Sequence, residues 1–266
     1  MKKIFLSLLA LSFVWSVTAQ NQPEKAPLSQ RKTIKKQEQI KKGWNLGALP
    51  VISFNSDLGF QYGALMNLYN YGDSGYPNYR QSLYVEISHY TKNSGLYHIN
   101  YDTKDLIKGI RVYFDMSYRP DRAYSFYGFN GYDAVYNPLW VTTGSPDYKT
   151  RLFYRYQRKF FSIRLDFQGN FKNKKLHWGA GIGLYNTNVA PVDVNLLNKG
   201  KSSDLLPNVP GLYDKYVTWG LIPASEKKGG MFTVFKAALE YDSRDNEANP
   251  NKGIWTEIVL VEAPKF

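Results

Sequence analysis

Ile110-Arg111-Val112-Tyr113-Phe114-Asp115-Met116-Ser117-Tyr118-Arg119 decides the fold class. Its even-numbered residues (Ile110, Val112, Phe114, Met116, Tyr118) make one apolar face, and Arg111, Asp115, Ser117 and Arg119 line the other. Side chains of a strand point alternately to its two faces, so this stretch is a strand that is oily on one side and charged on the other. The same alternation recurs. Phe161, Ile163, Leu165 and Phe167 oppose Ser162, Arg164, Asp166 and Gln168, and Leu83, Val85 and Ile87 oppose Tyr84, Glu86 and Ser88. Roughly nine strands follow from this pattern: 50–69, 80–90, 96–102, 110–119, 149–157, 160–168, 176–185, 231–242 and 253–262. Two long connections, 120–148 and 187–229, interrupt them.

Glu86, Arg111, Asp115, Arg164, Asp166, Lys236 and Glu240 all fall on the face opposite the apolar one. A soluble sandwich and a membrane barrel with an aqueous lumen both satisfy that rule. The N-terminus favours the membrane. Lys2-Lys3, the apolar stretch from Ile4 to Val14 and Val17-Thr18-Ala19 have the order of a secretory signal, with cleavage expected after Ala19. Aromatics near strand ends, Tyr69, Tyr71, Tyr118 and Tyr185, fit the girdles of a barrel. The expected fold is therefore an all-β, antiparallel transmembrane barrel, and the expected location is the outer membrane of a Gram-negative bacterium. Its domains are the signal at 1–19, a basic leader at 20–43, and barrel from 44 to 266.

The formal charge of +12 is uneven. Two units sit in the signal and five in residues 22–43, which leaves +5 for the rest. A nucleic-acid partner needs its basic residues gathered on a folded face, so none is expected. The chain has no cysteine, which excludes disulfides, a lipidated N-terminal cysteine and thiolate metal sites. His89, His98 and His177 are too dispersed for a metal centre. Gly179-Ala180-Gly181-Ile182-Gly183 repeats every second residue with no helix after it, so it cannot cradle a phosphate as a nucleotide-binding loop does. With no Gly-x-Ser-x-Gly elbow either, neither catalytic residues nor cofactor are expected.

Tyr241-Asp242-Ser243-Arg244-Asp245-Asn246-Glu247-Ala248-Asn249-Pro250-Asn251-Lys252-Gly253 reads as a stabilised turn. Asp242, Asp245, Asn246 and Asn249 offer oxygens to turn amides, and Arg244 can fork onto Asp242 or Asp245. Pro250 presets φ, and Gly253 permits a left-handed residue before the next strand. The segment resembles the Asp-x-Arg-Asp…Pro-x-x-Gly turn of the BamA/TamA family of outer-membrane proteins, also called bacterial surface antigens. Pro50-Val51-Ile52-Ser53-Phe54-Asn55, running into Leu58-Gly59-Phe60, resembles that family's first barrel strand. Phe126-Tyr127-Gly128-Phe129-Asn130 resembles its Tyr-Gly-x-Gly-Asn segment, without the second glycine.

The resemblance implies a barrel of about sixteen strands, of which nine would be present here, without periplasmic modules ahead of them. It also implies insertion or translocation of outer-membrane proteins through a weak seam between first and last strands. The partners would be outer-membrane lipid and unfolded client proteins. Residues 50–69 would form one lip, carrying Pro50, Ser53, Asn55, Gly59 and Gly63, with the two glycines weakening and bending it. The alternatives are a passive porin-like channel, whose lumen carries the same alternation, and a structural surface antigen displaying loop 187–229.

Overall fold

The computed structural model describes residues 41–264, apart from 74, 75, 77, 130–134, 246, 248 and 249. The signal at 1–19, most of the 20–43 leader, Asn246 and Asn249 lie outside the described residues. Nine strands form one sheet: β1 Trp44–Asn55, β2 Gly59–Asn70, β3 Gln81–Tyr90, β4 Gly95–Ile107, β5 Ile110–Ser125, β6 Arg155–Asn170, β7 Leu176–Ala190, β8 Gly229–Asp242 and β9 Trp255–Glu262. Each strand pairs antiparallel with its sequence neighbours, in the order β1 to β9. The sheet is open, with β1 and β9 as its edges. No described helix is long and apolar enough to cross a membrane, which says nothing of strands.

The expected count of nine holds, but two boundaries behind it change. Residues 50–69 are not one strand. Asn55 accepts hydrogen bonds on its side-chain Oδ1 from the amides of Asp57 and Leu58 at 2.9 and 3.0 Å, and this Asx turn folds the stretch into the β1–β2 hairpin. Conversely, 149–157 and 160–168 are not two strands, since β6 runs unbroken through Arg158 and Lys159. The first strand also begins earlier than expected. Gly43 donates to Gly72 and accepts from Tyr71, tying the chain to β2 from the outset.

Register places the faces. Ile110, Val112, Phe114 and Met116 stand beside Gly169, Phe167, Leu165 and Ile163, and Arg111, Tyr113 and Asp115 stand beside Gln168, Asp166 and Arg164. Carried across the sheet, this gives one apolar face and one polar face. Rings of Phe60, Tyr62, His89, Tyr97 and Tyr118 touch in sequence across β2 to β5 at one end of the apolar face. Of the four tyrosines expected in girdles, only Tyr118 is on that face. Tyr69 is paired with Ser82 and Tyr185 with Ser162 on the polar face, and Tyr71 is buried beyond the end of β2. Tyr69 and Tyr185 are offset by an odd number of positions from the apolar residues of their own strands, so alternation sends them to the polar face.

The connections differ at the two ends. The end bearing the β5–β6 and β7–β8 connections, 126–154 and 191–228, also bears the short β1–β2 and β3–β4 turns. The second long connection folds into α1 Val194–Asn198 and α2 Leu212–Thr218. Leu152, Leu197 and Leu206 form a buried cluster there, with Leu58, Ala123, Val192 and Val194 against it.

Gly63 of β2 lies hard against β3. A Cβ there would meet the Ile87 carbonyl oxygen at 2.2 Å and Ser88 Cα at 2.6 Å, both backbone atoms. Gly63→Ala should therefore cost about 1–3 kcal/mol in a urea unfolding titration, as overpacking does. A neutral result would mean that the strands separate at no cost.

Candidate functional site

Three features stand out: a charged polar face, a turn that leans over it, and an open edge. On the polar face, Arg111 of β5 donates through Nε and Nη2 to both oxygens of Asp102 on β4, at 2.8 and 2.5 Å. The hydroxyl of Tyr79 donates to the same carboxylate at 2.7 Å and accepts from Arg111 at 3.1 Å. Asp102 is buried, so its charge depends on these donors. Burial pushes the Tyr79 hydroxyl up to about 12, helped by the hydrogen bond and the charge of Asp102. It is therefore a neutral donor at any physiological pH.

The remaining hydrogens of Arg111 point across the sheet. Its Nη1 donates to Glu247 at 2.7 Å, and Lys104 reaches the other Glu247 oxygen at 3.4 Å. Glu247 belongs to the β8–β9 turn, 136 residues along the chain from Arg111. Burial favours its neutral form, but Arg111 and Lys104 outweigh that and hold its carboxyl below the usual range. The contact pins the turn over a cavity of about 340 Å³ whose walls include Gln168, His177 and Glu240.

The turn is closed as its residues allow. Arg244 forks onto Asp242 at 3.0 and 2.8 Å, and the Arg244 amide donates to the same carboxylate. Asp245 accepts from the amides of Asn251 and Lys252. Gly253 has φ +98°, and a Cβ there would strike the Ser243 carbonyl at 2.2 Å. Pro250 is exposed. Glu247 lies inside the quoted motif, yet no local spacing announces its partner.

Further along the polar face the ionic contacts loosen. His98 meets Asp115 at 2.8 Å, but Arg164 stands 3.9 Å from Asp115, and Lys236 stands 3.9 and 4.0 Å from Asp166 and Glu257. Arg164, Asp166, Lys236 and Glu257 line a second cavity of about 270 Å³ over Gly179.

At the long-loop end Asp57 accepts from Arg151 through three contacts of 2.6 to 3.0 Å and from Lys201 at 3.2 Å. Arg151 also reaches Asp204 at 2.8 Å. One buried carboxylate thus ties the β1–β2 turn to both long connections. Burial would raise the Asp57 carboxyl, but the two cations hold it below its ordinary value. A depressed folded value means the tie is complete above the ordinary carboxylate range and is lost as pH falls through the folded value. Trypsin should accordingly leave Lys201 intact at pH 7 and 5, whereas Asp57→Asn should open it to cleavage at both. Equal resistance in Asp57→Asn would show that the apolar cluster alone holds the loops.

The seam residues separate. Pro50, Ser53 and Asn55 stand on β1, the edge strand, whereas Gly59 and Gly63 stand on β2 with neighbours on both sides. The expected single lip is thus corrected, because the Asx turn at Asn55 divides it. Gly43 directs its N–H and carbonyl toward β2. Backbone direction alternates along a strand, so odd-numbered residues of β1 face β2 and even-numbered ones face outward. Pro50 is even-numbered, and the donor it lacks is not needed by β2. Side chains of β1 are bare on both faces, with Ile52 69% exposed on one and Leu49 62% on the other.

No family model and no curated protein matches the chain. Among solved structures, it is similar to the crystal structure of BamA from Haemophilus ducreyi lacking POTRA domains 1-3, at 13% identity and a TM-score of 0.40. The alignment covers 84% of this chain and 34% of that one, so the chain spans about a third of the length of the structure it matches.

Proposed function

We propose that the chain is barrel wall of an outer membrane, with its apolar face in lipid and its charged face in water, and that the β1 edge receives strands of incoming outer-membrane proteins. The observation that carries this reading is the edge itself. Among the described residues β1 pairs with β2 alone, and the outward donors and acceptors of its even-numbered residues are a template for strand addition. An apolar face of this extent needs an apolar medium, because water-exposed patches of this kind are rare in soluble proteins. A porin-like channel would need an open mouth. The tie of Asp57 to Arg151 and Lys201 draws the loops together at that end and favours insertion over conduction.

A photoreactive residue in place of Ile52 tests this in cells. It should crosslink newly made outer-membrane protein, and the same group in place of Met116, amid paired strands, should not. Equal crosslinking from both positions would remove the edge from the mechanism.

A further inference from the structure

Nine arginines lie among the described residues. Arg80, Arg111, Arg151, Arg164 and Arg244 each have a carboxylate within 4.0 Å. The other four, Arg119, Arg122, Arg155 and Arg158, all stand on β5 and β6 toward the long-loop end. Two of these donate to neutral acceptors. Arg122 donates to Gln157 at 2.6 Å, and Arg155 donates to Ser125 at 2.5 Å.

Arg119 and Arg158 are different. Neither makes a hydrogen bond or ion pair among the described residues, and both lie on the polar face. Each is held by rings instead: Arg119 stacks 4.8 Å from the Phe160 centroid, and Arg158 stacks 3.4 Å from that of Tyr124 and 5.5 Å from that of Phe160. The Nε of Arg158 is buried with no acceptor, as are those of Arg122 and Arg164, but Arg158 alone of the three has no hydrogen bond or ion pair through its other nitrogens either. Asp121 faces Arg158 across the register, yet no ion pair forms. The strands are irregular between Asp121 and Tyr124, and there Asp121 turns its carboxylate to accept from the Ala123 amide at 2.9 Å. The irregularity thus withdraws the one carboxylate paired with Arg158.

We infer that Arg119 and Arg158 form an oxyanion site, and that its ligand is a phosphate-bearing group entering the polar face from the long-loop end. Stacking covers the flat face of a guanidinium and leaves its N–H edge for an acceptor in the ring plane, the geometry that suits phosphate. Two uncompensated cations sharing one ring match a group that carries nearly two negative charges at neutral pH. Tyr185 and Phe232, stacked on each other beside Phe160, wall the site with rings rather than with carboxylates.

The test uses the whole protein folded in a nonionic detergent, so its outcome does not depend on strand insertion. Inorganic phosphate is titrated into the parent, Arg119→Gln, Arg158→Gln and Lys159→Gln proteins by calorimetry, with circular dichroism to verify folding. Flotation with vesicles of phosphatidylcholine, with or without phosphatidic acid, gives the second arm. Each arginine variant should bind about tenfold or more weakly than the parent, the loss of one charged hydrogen-bonding group. Lys159→Gln, on the opposite face, should match the parent. A difference confined to phosphate assigns a free anion, and one confined to phosphatidic acid assigns a lipid headgroup. If neither probe separates the arginine variants from the parent, the site does not exist.

Discussion

Arg111→Met should cost about 3–5 kcal/mol of folding stability, the usual consequence of leaving one member of a buried ion pair alone. The large value follows from where the damage falls. Asp102 is buried and takes three of its hydrogen bonds from Arg111 and Tyr79. Without the guanidinium, one hydroxyl remains to solvate a full charge. The same substitution releases Glu247 and with it the β8–β9 turn. Glu247→Gln removes only the charge at the more exposed end of the chain of contacts, so about 1 kcal/mol is expected. Replacing both members, as in Asp102→Asn with Arg111→Met, should recover part of the loss, because no uncompensated charge is then buried. Urea unfolding of the four proteins in one detergent measures all three values. A double substitution as damaging as the single one would mean that packing, not charge, is at stake.

Ile52→Pro should abolish strand capture while leaving the fold intact. Ile52 shares its backbone direction with Pro50, away from β2, so the substitution removes a donor that the β1–β2 hairpin does not use. An incoming strand would lose that bond and meet the proline ring at the centre of the edge. Val51→Pro is the counterpart. Its N–H faces β2, and its loss should cost about 3 kcal/mol or more by breaking the ladder. Crosslinking yield from a neighbouring β1 position, with a stability measurement on each variant, separates the two effects. Full capture by a folded Ile52→Pro protein would show that clients enter elsewhere.

Local rules reached different depths in different parts of this chain. Strict alternation in Ile110–Tyr118 and Phe161–Gln168 made the faces readable, because each side chain's direction depends only on its neighbours. The strand count was right through two compensating errors. Apolar positions in 50–69 keep their parity across the Asx turn, which hid the β1–β2 hairpin, and Arg158-Lys159 looked like a connection but continues β6. In the turn motif, the fork of Arg244 onto Asp242 is local and could be read from spacing. The bond from Arg111 to Glu247 could not, since only the curl of the sheet and the lean of the turn bring them together. Asp57 with Arg151 and Lys201, and the stranded guanidiniums of Arg119 and Arg158, are likewise products of tertiary placement. A residue two positions from an apolar neighbour announces its face, but nothing in a sequence announces which charge on that face lacks a partner.

The central claim is that one face of this sheet meets lipid and the other meets water. Single cysteines carrying a spin label at Ile87, Ile182 and Leu239, and at Glu86, Gly181 and Ala238, test it in reconstituted bilayers. The first three positions should be relaxed by oxygen, which partitions into lipid, and the last three by a water-soluble nickel complex. Nickel access at Ile182 and Leu239 equal to that at Gly181 and Ala238 would place both faces in water and contradict the membrane account.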